Sequence, residues 1–256
     1  MNIHDRVASE LPGFVTASGL PPEDVTTSLT LQAARETVPR LLDVMRELGH
    51  DVGVHEWAAF THPLAHELGK LLDAYGSDKA CGHNYHHLYA HILGPRRTEP
   101  LRIFEVGLGS PNLDVTGNMG AGARAGASLR AFRDFCPNAV VFGADVDKRV
   151  LFSEHHILTL FVDQTEPSTF KTAEGFGPFD FIVDDGLHST HANLATMSFA
   201  VRTLAPRGWF IVEDILRPGA LPVWHLANAM LPPDRFRGMV IRADAGFHLF
   251  AMQRVA

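Results

Sequence analysis

The stretch FDFIVDD, residues 179–185, is short, aromatic and β-branched, and it ends on two adjacent aspartates. A run of this length and composition reads as a buried strand. The pattern recurs along the chain in LRIFEV (101–106), AVVFGADV (139–146), ILTLFVD (157–163) and GWFIVED (208–214), followed by GMVIRA (238–243) and FHLFAMQRV (247–255). Nearly continuous apolar strands with helical stretches in several of the gaps predict a doubly wound, Rossmann-like α/β domain. Its sheet of seven strands is mostly parallel and covered on both faces. The close spacing of the last two runs predicts a terminal antiparallel pair.

Outward from this core, the chain changes character. Residues 1–75 contain no convincing strand; apolar residues Val38, Leu41, Leu42, Val44, Met45 and Leu48 recur at helical spacing, and AHELGKLLDAYG (65–76) reads as a second short helix. The organisation expected is a helical cap or oligomerisation region over 1–75 and a ligand-binding domain over 76–256. The Gly/Ala-rich NMGAGARAGAS (118–128) reads as an irregular loop. With 256 residues, 46% hydrophobic and 20% charged, the chain can bury one large core. Its formal net charge of −7 comes without a Lys/Arg stripe, so the footprint of a nucleic-acid binder is missing. Cys81 and Cys136 form no CxxC pairing, and there is neither a basic-then-apolar leader nor a long apolar span. A cytoplasmic protein with reduced thiols and no membrane partner is the expectation.

In open α/β sheets ligands bind beyond the carboxyl ends of the strands. Here those ends are acidic: Glu105, Asp145, Asp163 with Gln164, the pair Asp184–Asp185, and the pair Glu213–Asp214. EVGLGS (105–110) is a Gly-rich turn after a strand, in which Gly107 and Gly109 let backbone approach a ligand closely. It lacks the GxGxxG spacing and the acid about 20 residues onward that a nicotinamide dinucleotide calls for. Asp145 is nevertheless placed to accept from a ribose diol, so a nucleoside without pyrophosphate fits better. Asp185 and the Glu213–Asp214 pair are one strand–helix–strand unit apart, which brings three carboxylates together. A hard divalent cation, magnesium first, neutralises such a set; the alternative is that one acid caps a helix and another pairs with Arg207 or Arg217. His188, three residues after Asp185, is a natural general base at neutral pH, with His191 competing and Asp184 structural.

EVGLGS, GADVD, VDQTEP, IVDDGLH and IVEDI, in that order and preceded by YGSDK and HNYHHLY, resemble the class I S-adenosylmethionine-dependent methyltransferases. More closely, they are similar to the metal-dependent sugar O-methyltransferases of macrolide antibiotic biosynthesis. The resemblance covers residues 75–216 and hardly touches the N-terminal helices. It implies that Ser77, the turn Glu105, Gly107, Gly109 and Ser110, and Ser128 contact the methionine portion and the backbone of S-adenosyl-L-methionine. Asp145 would hold the ribose, and Asp163 with Gln164 the adenine edge. Asp185, Glu213 and Asp214 would bind Mg2+, with Asp185 also close to the cofactor, and His188 would be the base. SPNLDVTGNMGAGARA (110–125) departs from the family pattern, where a short link joins the Gly-rich turn to the next helix, and is expected to reshape the acceptor side.

The chemistry implied is O-methylation of a sugar hydroxyl on a glycosylated natural product by a homo-oligomeric enzyme. N-methylation of an amino sugar, a cephalosporin-hydroxylase-like metalloenzyme and a non-catalytic binding protein are the alternatives. In CGHNYHHLYAH (81–91), His83, His87 and His91 recur every four residues and are expected on one helix face lining a cleft or the surface, with Tyr85 and Tyr89 available to stack on an acceptor ring. Trp57, Trp209 and Trp224 are expected in packing roles.

Overall fold

The computed structural model describes residues 40–56, 60–215, 221–243 and 246–255. Two compact units divide at residue 52, the second spanning Gly53–Ala256. In the first, residues 40–47 are helical, within the stretch where an amphipathic helix is expected. The second unit begins well before residue 76, a correction to the expected boundary, and residues 54–56 supply a strand where none was anticipated.

The strands are β1 (Val54–Glu56), β2 (Arg102–Val106), β3 (Val140–Asp145), β4 (Ser153–Glu154), β5 (Ile157–Phe161), β6 (Phe179–Asp184), β7 (Leu204–Ile215), β8 (Phe236–Arg242) and β9 (His248–Arg254). The longer helices are α1 (Ala65–Tyr75), α2 (His86–Leu93), α3 (Ala127–Phe135), α4 (Thr190–Thr203) and α5 (Leu221–Met230). The sheet order is β1-β8-β9-β7-β6-β2-β3-β5-β4, nine strands rather than seven. The surplus is the pair of two- and three-residue edge strands, β4 and β1, too short to leave an apolar run in the sequence. Strands β7, β6, β2, β3 and β5 are parallel, and β9 runs antiparallel between β7 and β8, as the spacing of the last two runs predicted.

Alternation along the strands divides the core in two. Ile103, Val141, Phe181, Val183 and Ile211 join α1, α2 and α3 on one face. Phe104, Phe142, Ile182, Phe210 and Val212 join α4 and α5 on the other. Both faces are buried, hence runs with no polar alternation. Trp224 stacks on Phe250 in the second core, with ring centroids 4.9 Å apart, the packing role expected of it; Trp57 lies outside the described residues.

Candidate active site at the acidic end of the sheet

The period of two that builds the cores also sorts the acids. Glu105, Asp185 and Glu213 continue the series Ile103, Val183 and Ile211 and come to the end of the sheet on the α1–α3 side. Asp184 points the other way. It is fully buried, and Gln164 Nε2 donates to its Oδ1 at 2.8 Å. Two neighbouring aspartates therefore have different partners, and Asp184 is structural as expected.

The cation that meets the three carboxylates was not anticipated. Helix α1 ends on Gly76 in a left-handed cap, φ 85°, and the chain turns so that Lys79 of YGSDK enters the sheet end with its side chain only 3% exposed. Lys79 Nζ lies 3.3 Å from Glu105 Oε1, donates to Glu213 Oε2 at 2.6 Å, and donates to Asp185 Oδ2. Burial pulls an ammonium's pKa down, but Asp185, Glu213 and Glu105 reverse this and hold Lys79 well above the ordinary lysine value. Burial likewise pushes Glu105 and Glu213 up to about 7 against the opposing pull of Lys79. This neutralising partner is not Arg207, which lies near the start of β7; Arg217 lies outside the described residues.

Glu213 also accepts from the Tyr89 hydroxyl, so both its oxygens face inward. Among the described residues, Asp185, His188 and Asp214 come together, one ligand atom from each lying within 4.8 Å of the others, so that two carboxylates can hold a cation with the imidazole beside them. Two carboxylates beside an imidazole suit a hard or borderline divalent cation. Of the expected trio Asp185, Glu213 and Asp214, Glu213 is engaged by Lys79 and Tyr89, while Asp185 and Asp214 face His188. Asp214 escapes the strand alternation because its backbone is left-handed, φ 54°, where the pairing of β7 with β9 shifts register. Tyr85 then donates to its Oδ1 at 2.6 Å. His188, also left-handed at φ 52°, brings Nε2 to 3.8 Å from Asp185 Oδ1 and 3.9 Å from Asp214 Oδ2. Non-glycine residues held in this region concentrate at functional sites.

A cavity of about 710 Å³ opens beside this group, of the size that takes a small-molecule ligand. Gly107, Gly109, Ser110, Asp145, Asp163 and Gln164 line it, as do Asp185, His188 and Asp214. Gly107, at φ 96°, admits no side chain: a Cβ would stand 2.0 Å from the Asp185 carbonyl oxygen. Asp145 accepts from the backbone N–H of Leu108 and of Asp147, each at 2.8 Å, which leaves second lone pairs on its oxygens for a ligand. Gln164 lines the cavity beside Asp163, and its amide also donates to Thr196 Oγ1 and accepts from Leu187 N, tying down the turn that carries His188. Ser77, Glu105 and Ser128, the other residues expected at the cofactor, are buried and not among those lining the cavity, and Ser128 Oγ donates to Glu105 at 2.7 Å.

The insertion after Gly109 is pinned rather than loose. Ser110 Oγ and Asn112 Nδ2 donate to Asp147 Oδ2 at 2.6 Å each, and Arg149 links Asp147 to Asp114. Its residues Asp114 to Met119 form one wall of the cavity. The histidine-rich segment also differs from expectation, because α2 begins only at His86 and a left-handed Asn84 precedes it, so His83 does not share a helical face with His87 and His91. Tyr85 and Tyr89 are buried donors to acids rather than acceptor platforms.

This is the fold of the class I methyltransferases: a Rossmann-like sheet with β9 inserted antiparallel between β7 and β8, carrying its ligand cleft at the strand ends. Among solved structures, the MycE methyltransferase of the mycinamycin biosynthetic pathway, in complex with Mg and SAH, superimposes with a TM-score of 0.59 at 21% identity, over 73% of this chain and 55% of that one. In sequence, the chain is 31% identical over 155 residues to 8-demethyl-8-(2-methoxy-alpha-L-rhamnosyl)-tetracenomycin-C 3'-O-methyltransferase of Streptomyces olivaceus, covering 58% of this chain and 37% of that enzyme. It is 30% identical over 122 residues to mycinamicin VI 2''-O-methyltransferase of Micromonospora griseorubida, covering 46% of this chain and 28% of that enzyme. The matches thus span little more than a third of these relatives at most. No protein-family model matches the chain.

Proposed function

We propose that this protein is an S-adenosylmethionine- and Mg2+-dependent O-methyltransferase acting on a sugar hydroxyl of a glycosylated natural product. The observation that carries the reading is a single cavity lined both by the glycine turn with Asp145 and by Asp185, His188 and Asp214. When bound, S-adenosylmethionine supplies an electrophilic methyl group and magnesium makes the acceptor hydroxyl more acidic. The residues divide the remaining work. Gly107, Gly109 and Ser110 shape a backbone cradle, Asp145 accepts from the ribose, and Asp163 borders the nucleoside end. Asp185 and Asp214 are the oxygen donors that would hold the metal, which leaves the His188 imidazole beside them to take the acceptor proton. Holding both reactants in contact geometry is worth up to about 7–11 kcal/mol in well-oriented systems.

Calorimetry with S-adenosylhomocysteine is expected to show binding, and turnover of a rhamnosylated or other deoxyhexose-bearing acceptor is expected to vanish in EDTA and return with Mg2+. His188→Ala is expected to lower turnover by about 10²–10⁴-fold with cofactor affinity intact; unchanged turnover would remove His188 as the base. Self-association belongs to the same reading, supported by Leu41 and Val44, exposed on the helix over 40–47, and Leu48, exposed in the turn just after it; sedimentation velocity tests it.

A further inference from the structure

We propose that Lys79 is a built-in cation that sets how tightly the Asp185–Asp214 pair binds a divalent metal, a positioning residue that touches neither substrate nor cofactor. The inference rests on the metal reading above. An ammonium has three N–H donors, and Lys79 meets three carboxylates, Glu105, Asp185 and Glu213, with its side chain 3% exposed. Asp185 is the shared member. Its Oδ2 is committed to Lys79, while Oδ1 faces His188 and the cavity.

Two consequences follow from that sharing. Asp185 is oriented before any metal arrives, and only one of its oxygens is free to ligate. A positive charge on the far oxygen also repels a divalent ion on the near one, through an interior where charges are weakly screened. Glu105 works in the opposite sense. It lies outside the cavity lining, accepts a hydrogen bond from Ser128 and is ion-paired with Lys79, and its charge offsets that of the lysine.

Removing Lys79 should therefore tighten metal binding, and removing the Glu105 charge should weaken it, whereas a merely structural role weakens binding in both variants. The experiment is a titration of the full chain with Mn2+, followed by electron paramagnetic resonance, with melting temperatures taken in EDTA and in Mg2+. K79Q is expected to lower the Mn2+ dissociation constant by about tenfold or more and to widen the gap between the two melting temperatures. E105Q, which leaves no buried carboxylate unpaired, is expected to raise the constant several-fold while melting no lower than wild type in EDTA. An unchanged or weaker constant in K79Q overturns the proposal. If K79Q does not fold, E105Q decides, and a wild-type constant there overturns it. A wild-type chain that binds no Mn2+ removes the metal reading and this inference together; wild-type binding with both variants unchanged removes this inference alone.

Discussion

The floor and the rim of the cleft are both built from charged residues, and they are built on different physics. At the floor, Lys79, Glu105 and Glu213 are almost entirely out of water, the lysine side chain 3% exposed and that of Glu213 1%, while Asp185 at 18% reaches from them to the cavity. At the rim, Arg149 and Asp114 pair with side chains 54% and 70% exposed. Buried charges need every partner, because an unpaired one keeps its full desolvation cost. Exposed ones are screened and exchange readily with water. The floor is thus the rigid part of the site, and the rim is the part that can vary in sequence without unfolding the sheet.

Substitutions can break or sharpen this contrast. The largest effect is expected at Gly107, where alanine would place a methyl against the Asp185 carbonyl oxygen in a left-handed backbone. A loss of about 3 kcal/mol or more in urea unfolding is expected, and near-wild-type stability would mean the floor yields. Asp184→Ala comes next. It removes the buried acceptor of Gln164 and should cost about 1–3 kcal/mol while leaving Mn2+ affinity intact, which separates it from its neighbour Asp185.

A pH-dependent effect follows from His86, which packs against Gly69 and whose pKa burial lowers to about 4. The unfolded chain takes up a proton near the ordinary value of about 6.5. Between these values the folded state binds fewer protons, so stability falls as pH drops through the window. His86→Gln is expected to flatten the melting temperature between about pH 6.5 and 4; an unchanged slope would assign it to other groups. The smallest effect belongs to the rim, where Asp114→Ala, the loss of an exposed and screened pair, should leave the melting temperature close to wild type and, if it acts at all, should act through acceptor KM.

Much of the fold was legible because it is written in local patterns. The seven apolar runs became the seven longer strands, and AHELGKLLDAYG became α1, since strand and helix periods are properties of neighbouring residues. The edge strands β1 and β4 were missed because three and two residues carry no period. At the site, the cavity-lining acids and His188 were legible from their place after strands. The burial of Ser77, Glu105 and Ser128 was not legible, because a motif names residues without saying which face of the cleft wall each takes.

The sequence by itself determined that acids would gather at one end of a parallel sheet, and that adjacent Asp184 and Asp185 could not be equivalent, because successive side chains on a strand leave by opposite faces. Only the tertiary structure decided what each acid meets. Lys79 reaches Asp185 across 106 residues and Glu213 across 134, and a left-handed turn at Asp214 sends that carboxylate to the cleft while Glu213 stays inside. Such partnerships depend on how α1 is laid over the sheet. No spacing within either segment records that packing, so the lysine that meets Glu213 emerged only in three dimensions.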